Sequence, residues 1–394
     1  MLLRKRIRLK PTPEQERQFI KCCGVARWAY NLFIEENNKI YSEYLKNDRS
    51  GNSYISGSDV RKKITQMKTT THTWLKEVGC NVPKQSIRDA EKAYKEFFNG
   101  TRGRPKFKSK HRSKMSFYVN SESLSRGNYS FHGERIGNIK TAEQLPKLPD
   151  GKHYGDPRIK FDGKYWYLSF TYEVDPIECD HTDEILGIDV GIKELAVCSN
   201  GTVYHNINKT ERVRKLEKSL KRAQRSLSRM IEDNTASYKV IGKNRYPIYK
   251  RPISECKNIQ KQSKKIRLIY RKLRNIREDY THKVTTEIVR TKPSRIVMED
   301  LNVNGMMKNR YLAKSVQDQS WSGFHAKMKY KCELYGIEFV EASRWFPSSK
   351  MCSCCGAIKS DLKLRDRTYH CPECGLEIDR DYNASLNLAN YVNC

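Results

Sequence analysis

Residues 185–191 read Ile185-Leu186-Gly187-Ile188-Asp189-Val190-Gly191, an apolar run of strand length interrupted by one acid at its end. A buried strand that ends in a carboxylate takes that charge out of water unless something cationic pairs with it, and a divalent metal is the compact solution. A second apolar run follows. After it comes Asn200-Gly201, a two-residue hairpin signal, because both residues tolerate positive φ.

Together these elements read as the opening of an RNase H-type sheet. Downstream lie two long, highly basic helical stretches. Residues 211–233 carry Leu216, Leu220 and Leu227, and residues 254–290 carry Ile266, Ile269, Leu273 and Ile276, so a helical hairpin is the economical reading. Its excess of Lys and Arg favours contact with nucleic-acid backbone over an ordinary solvated face. Upstream, residues 1–12 read as a short basic strand, with Leu3, Ile7 and Leu9 among Arg and Lys, stopped by Pro11 and Pro13. Thr12 or its neighbour caps a helix whose apolar stripe runs through Phe19, Cys22, Val25, Ala26, Ala29 and Phe33. Further helices are expected over residues 60–66 and 83–98, with a loop at 47–58. Residues 116–174 alternate in short runs with turns at Gly127, Gly133, Pro149 and Gly163. The clearest run sets Trp166, Leu168, Phe170 and Tyr172 on one face. A β-barrel-like module with the helical segment inserted after its first strand is the expected arrangement.

The chain has 394 residues, and its 76 Lys and Arg stand against 45 Asp and Glu, a formal net charge of +31. That excess exceeds what solubility needs and points to a polyphosphate partner. Met1, Leu2 and Leu3 run straight into Arg4, Lys5 and Arg6, leaving no apolar stretch for a secretory signal. Mean hydropathy is −0.80, and no run approaches the roughly 20 apolar residues of a membrane span. A cytoplasmic protein that acts at the nucleoid is therefore expected. In the loop Gly103-Arg104-Pro105-Lys106-Phe107-Lys108-Ser109-Lys110 an aromatic interrupts the cations, which suits phosphates with one stacked base. Arg4, Arg6, Arg104, Lys106, Phe107, Lys108 and Lys110 are the candidate nucleic-acid contacts.

Thirteen cysteines, an odd number, argue for metal ligation plus scattered buried thiols over a disulfide framework. Cys22, Cys80, Cys179, Cys198, Cys256, Cys332 and Cys394 are expected among the latter. Cys352-x-x-Cys355 and Cys371-x-x-Cys374, with fifteen intervening residues, have zinc-ribbon spacing. Gly356 and Gly375 permit the tight turns that let amide hydrogens face sulfur. Cys354 is a spare thiol inside the first pair, so choosing Cys352 with Cys355 rests on spacing.

Two more carboxylates stand at element ends as Asp189 does: Glu299 after Arg295-Ile296-Val297-Met298, and Asp381 before 383–389. Taken singly, each reads more often as a cap or ion-pair member than as a ligand. Converging, they would hold two Mg²⁺ or Mn²⁺ ions for phosphodiester hydrolysis. Asp300 beside Glu299, and Asp379 two residues before Asp381, leave the choice of ligands open on chemistry alone.

The segments Gly187-Ile188-Asp189-Val190-Gly191, Ile296-Val297-Met298-Glu299-Asp300-Leu301, 344–352 and Asp379-Arg380-Asp381-Tyr382-Asn383-Ala384 resemble the TnpB family, the transposon-encoded RNA-guided nucleases related to type V CRISPR effectors. The region 6–31 and the loop 103–110 resemble it too, so the similarity runs along nearly the whole chain. The chain ends soon after Asn387, where relatives often carry a longer tail. The resemblance implies Asp189, Glu299 and Asp381 as catalytic acids and magnesium ligands, with Asp381 preferred over Asp379. It implies a multidomain α/β plus β-barrel architecture in which a split, wedge-like barrel (1–12 and 101–180) carries an inserted helical recognition lobe (13–100). A RuvC-like, RNase H-fold nuclease domain (181–346 and 376–394) follows, interrupted by the zinc ribbon (347–375). The expected activity is guide-RNA-directed DNA cleavage next to a short flanking motif by a monomer. The rivals are a miniature type V CRISPR effector with the same chemistry, a guided DNA-binding repressor, and a DNA transposase.

Overall fold

Arg and Lys alternate with Ile7 and Leu9 along β1 (Leu2–Lys10), and the period of two buries the apolar residues while the cations stay out. The computed structural model describes every residue except 111, 125, 126, 149, 150, 243, 364, 365, 393 and 394. The turn expected at Pro149 and the thiol of Cys394 therefore lie outside the described residues. The chain divides into two units, Leu2–Val174 and Asp175–Cys394.

In the first unit Thr12 starts α1 (Pro13–Lys46) with a capping box: its hydroxyl accepts from the Gln15 amide, and the Gln15 side chain accepts from the Thr12 amide. Phe19, Cys22, Val25, Ala29 and Phe33 form the buried stripe. α2 (Gly57–Thr69) and α3 (Asn81–Phe98) complete the helical insertion. The chain then returns to strands: β2 (Ser116–Tyr118), β3 (Ser130–Gly133), β4 (Gly137–Thr141), β5 (Gly155–Phe161) and β6 (Trp166–Glu173). These join β1 in a six-stranded sheet of order β2-β5-β6-β1-β4-β3, with β1 antiparallel to both β6 and β4. Among the described residues no pairing joins β2 to β3, so the sheet is a half-barrel rather than a closed one. Ile7, Phe19, Phe33, Ile87, Phe117, Ile139 and Phe170 share one core, which ties the helices to the sheet.

The second unit opens with β7 (Thr182–Asp189), β8 (Glu194–Cys198) and β9 (Val203–His205). The hairpin at Asn200-Gly201 has a longer loop than two residues: Val197 pairs with Val203, and Gly201 takes φ +83°. Next come α4 (Glu211–Asp233), β10 (Thr235–Ile241), β11 (Asn244–Tyr249) and α5 (Lys257–Arg290). The expected helical hairpin thus forms, but a β-ribbon joins its two helices in place of a plain loop. β12 (Pro293–Glu299), α6 (Val303–Met306), α7 (Ala313–Gln319), α8 (Trp321–Tyr335) and β13 (Glu338–Ala342) follow. A five-stranded sheet results, of order β13-β12-β7-β8-β9, in which β12 runs parallel to both β13 and β7. Leu186, Ile188, Ile288, Ile296, Met298, Phe324 and Met328 form the core between this sheet and α5 and α8.

β14 (Thr368–His370) and β15 (Glu377–Asp379) pair antiparallel around the cysteine cluster, and β15 runs directly into α9 (Arg380–Ala389). α9 lies against β7 at Gly187, where an added Cβ would come within 2.0 Å of the Ser385 carbonyl oxygen. Of the expected buried thiols, Cys22, Cys198, Cys256 and Cys332 are buried; Cys80 is exposed and Cys179 half-buried, because both sit in connecting segments. No helix among the described residues is long and apolar enough to cross a membrane.

Candidate active site and metal centre

Parallel pairing sets the site. Ile188 lies opposite Met298, so Asp189 and Glu299 end adjacent parallel strands on the same edge, the usual position for ligands in open α/β sheets. Gly187 lets the backbone of α9 approach β7, and this contact brings the first turn of α9, with Asp381, to that edge. All three acids are half-buried. Burial first, and then the charges of Glu299 and Asp381, push the Asp189 carboxyl well above the usual carboxylate range; Arg380 opposes the rise. Burial likewise raises Glu299, against a hydrogen bond donated by the Ser348 hydroxyl to its Oε1. Two buried, raised carboxyls with a third acid beside them at one strand edge form a donor set that a divalent cation could bridge.

Both neighbouring acids have other occupations. Asp300 is paired with Arg344, whose Nε donates to Oδ2 at 3.1 Å. Asp379 is the N-cap of α9: its Oδ1 accepts from the amides of Asp381 at 2.9 Å and Tyr382 at 3.1 Å. A cleft of about 440 Å³ opens beside Glu299, lined in part by Val190, Asn302, Trp321, His325 and Arg344.

Sequence reasoning missed the residues that hold this edge together. Asn383 donates to the Met351 carbonyl at 2.7 Å and accepts from the Ser353 amide at 3.0 Å. Asn387 donates to the carbonyls of Ser348 and Met351 at 2.7 and 2.6 Å. Both amides are buried. They pin residues 348–353 to α9, and Ser348 from that segment reaches Glu299. Two asparagines four residues apart, on the same helix face as Ala384 and Leu388, were the available signal.

The four cysteines chosen by spacing come together. Their sulfurs all lie within 4.8 Å of one another, with Cys352 to Cys374 at 3.6 Å and Cys355 to Cys371 at 3.5 Å. A tetrahedron with Zn–S bonds of about 2.3 Å has edges of roughly 3.8 Å, so the cluster is compatible with zinc. Cys354 stays outside it. Gly356 and Gly375 take φ +76° and +71°, turning each loop so that Cys352 and Cys371 accept the amides of Gly356 and Gly375 through their carbonyls. Among the described residues, only these thiols form a ligand set that tight.

The candidate nucleic-acid contacts of the first unit divide. Lys106 and Lys110 are exposed, and Phe107 is 57% exposed. Lys108 instead lies 3.4 Å over the Tyr30 ring, and its backbone exchanges two hydrogen bonds with Asn31, which anchors the loop to α1. Arg104 donates to Asn38 at 2.9 Å. Arg4 pairs with Asp156 at 3.1 Å, and Arg6 stacks 3.9 Å over Tyr167.

Three family profiles match the chain. One described as "Helix-turn-helix domain" covers residues 1–46, one described as "Probable transposase" covers 169–310, and one described as "Cas12f1-like, TNB domain" covers 321–388. Over the first of these spans the structure has β1 and the single helix α1. A "Putative RNA-guided DNA endonuclease" of Streptomyces pristinaespiralis is 29% identical over 388 residues, which cover 97% of this chain and 87% of the relative. The "Putative RNA-guided DNA endonuclease InsQ" of Escherichia coli (strain K12) is 26% identical over 402 residues, covering 97% of this chain and 90% of the relative. Among solved structures, a cryo-EM structure of a Cas12f1-sgRNA-target DNA complex aligns with a TM-score of 0.53 at 17% identity. That alignment covers 96% of this chain and 82% of the other, a likeness of fold.

Proposed function

The chain belongs to the TnpB family, and from that premise we propose that it is an RNA-guided DNA endonuclease whose catalytic acids are Asp189, Glu299 and Asp381. The observation that carries the reading is the convergence of these carboxylates at one sheet edge, close enough that Glu299 and Asp381 raise the Asp189 carboxyl. The second unit is then a RuvC-like, RNase H-fold nuclease domain, and the half-barrel with its helices is the wedge and recognition lobe.

Magnesium or manganese bound by the three acids would activate water and stabilise the leaving oxygen in phosphodiester hydrolysis. Each residue at the acid edge then has a definite task. Asp189 and Glu299, on neighbouring strands, supply rigid oxygen donors, and the Ser348 hydroxyl orients the Glu299 carboxylate. Asp379 caps α9 and thereby aims Asp381. Arg344 neutralises Asp300 and keeps that acid from competing. The cleft beside Glu299 gives the strand being cut a path to the acids. Zinc held by Cys352, Cys355, Cys371 and Cys374 would brace the segment that carries Ser348. Guide RNA supplies sequence specificity by base pairing, which leaves the protein to read a short flanking DNA motif and duplex shape. The exposed Lys106, Phe107 and Lys110 fit phosphate and base contact.

The test is to sequence the RNA that co-purifies with the protein, then to offer the complex a duplex matched to that RNA with Mg²⁺. One discrete structured RNA and cleavage confined to the matched duplex are expected. A random mixture of host RNA, or cutting indifferent to the match, would overturn the proposal.

A further inference from the structure

β10 and β11 extend beyond the ends of α4 and α5 as a two-stranded ribbon. Among the described residues, no hydrophobic cluster includes a residue of this ribbon. Its register puts Tyr238, Val240, Arg245 and Pro247 on one face and Lys239, Ile241, Tyr246 and Ile248 on the other. Both faces are open, with Val240 63%, Ile241 55% and Tyr246 49% exposed. A lone two-stranded hairpin is marginal in water, so a ribbon with apolar groups on both faces is completed by a partner.

The charge names the partner's class. Residues 235–251 contain Lys239, Lys243, Arg245, Lys250 and Arg251 and no acid. Arg245 lies 4.7 Å over the Tyr238 ring, a flat cation displayed beside an aromatic. On α4, exposed Lys218, Arg222, Arg225 and Arg229 recur three or four residues apart and so share one helix face that leads to the ribbon. Lys218 and Arg222 also line a groove of about 520 Å³ with Lys265 of α5. A second copy of the chain would meet this cationic surface with its own, which is repulsive.

We propose that the β10–β11 ribbon docks in the major groove of a B-form DNA duplex while the basic face of α4 follows the neighbouring phosphates. Nucleic acid as the partner rests on the function proposed above; DNA as the kind rests on shape. A B-form major groove about 12 Å wide admits a two-stranded ribbon, whereas the A-form major groove is too deep and narrow for side chains to read. The strands, at about 3.4 Å per residue, span roughly 20 Å, enough to follow the groove past several base pairs.

The test uses the full-length protein with its co-purified RNA, in EDTA, binding a labelled DNA duplex that lacks any guide match and an RNA duplex of equal length across a salt series. The variants are Lys239→Gln with Arg245→Gln, and separately Tyr246→Ser; all three side chains are exposed, and an unchanged melting temperature verifies folding. The double variant should bind the DNA duplex about ten-fold more weakly, with a log–log salt slope shallower by about 2, while RNA-duplex affinity stays within two-fold. Unchanged DNA affinity, or an equal loss on both duplexes, overturns the proposal. So does a shift from dimer to monomer in Tyr246→Ser, which would assign the ribbon to a second copy. Binding in EDTA requires no cleavage, so this outcome is independent of whether the triad cuts.

Discussion

The cysteine cluster and the carboxylate edge both gather anionic ligand atoms, but they are assembled in opposite ways. The four sulfurs come from residues 352–374 and close to within 4.8 Å through two glycine-turned loops and one small β pair. The three acids come from β7, β12 and α9, and they converge only after a parallel sheet has formed and a helix has packed onto Gly187. A tight tetrahedral cage suits one ion that holds structure together. A looser carboxylate edge, open to a cleft at Glu299 and with the Asp189 and Glu299 carboxyls raised by burial, suits ions that share their coordination with water and substrate. On the proposed function, one chain builds a local site for stability and a non-local site for chemistry, and the contacts of Ser348, Asn383 and Asn387 join the two.

Breaking the local site should have the largest energetic effect. Structural zinc contributes on the order of 10 kcal/mol of apparent folding free energy at neutral pH, so Cys352→Ser or Cys371→Ser should lose about one zinc equivalent and melt the C-terminal segment. Elemental analysis and limited proteolysis check this, and wild-type protein without zinc would contradict it. Breaking the non-local site through its packing comes next. Gly187→Ala sets a methyl against the backbone of α9, with an expected cost of about 3 kcal/mol and loss of cleavage, while zinc content is retained. Chemical denaturation and metal analysis on the same samples separate the two sites.

A smaller effect has the opposite sign. The native Asp189 carboxyl is raised, so in the metal-free protein the folded state binds this proton more tightly than the unfolded chain does. Its destabilising effect is absent below the ordinary carboxylate range near about 4, grows as pH rises, and is complete above the raised native value. Asp189→Asn should therefore stabilise the metal-free protein at neutral pH by on the order of 1 kcal/mol, and the gain should vanish in acid. Melting curves of both proteins in EDTA across pH test this. A variant less stable than wild type at neutral pH would contradict it. The smallest effect belongs to Asp379→Asn. Asn caps a helix about as well as Asp, so stability should change by no more than about 0.5 kcal/mol and cleavage should persist.

Legibility followed the same divide. Cysteine spacing is a local property, and Cys352, Cys355, Cys371 and Cys374 were readable because ribbon geometry needs little beyond those intervals. The basic alternation of β1, the Thr12 cap and the alternating face of β6 were local too. The β10–β11 ribbon escaped notice, since Tyr238 to Ile248 lack a core-facing alternation: both faces are exposed and no burial imposes a pattern. The supporting polar contacts also escaped, because Ser348 meets Glu299, and Asn387 meets Met351, only through tertiary packing. Asp300 and Asp379 were indistinguishable from their neighbours until Arg344 and the α9 amides appeared beside them.

The most direct measurement is cleavage of a guide-matched DNA duplex bearing the flanking motif by wild type, Asp189→Ala, Glu299→Gln and Asp381→Asn, each loaded with the same co-purified RNA, in Mg²⁺ and in EDTA. Each substitution should abolish cutting while leaving guide RNA bound, since the proposed function assigns chemistry to the acids and affinity to the cationic surfaces. Wild type should be silent in EDTA. Cleavage that survives chelation, or that persists in Asp189→Ala, would place the active site elsewhere in the molecule.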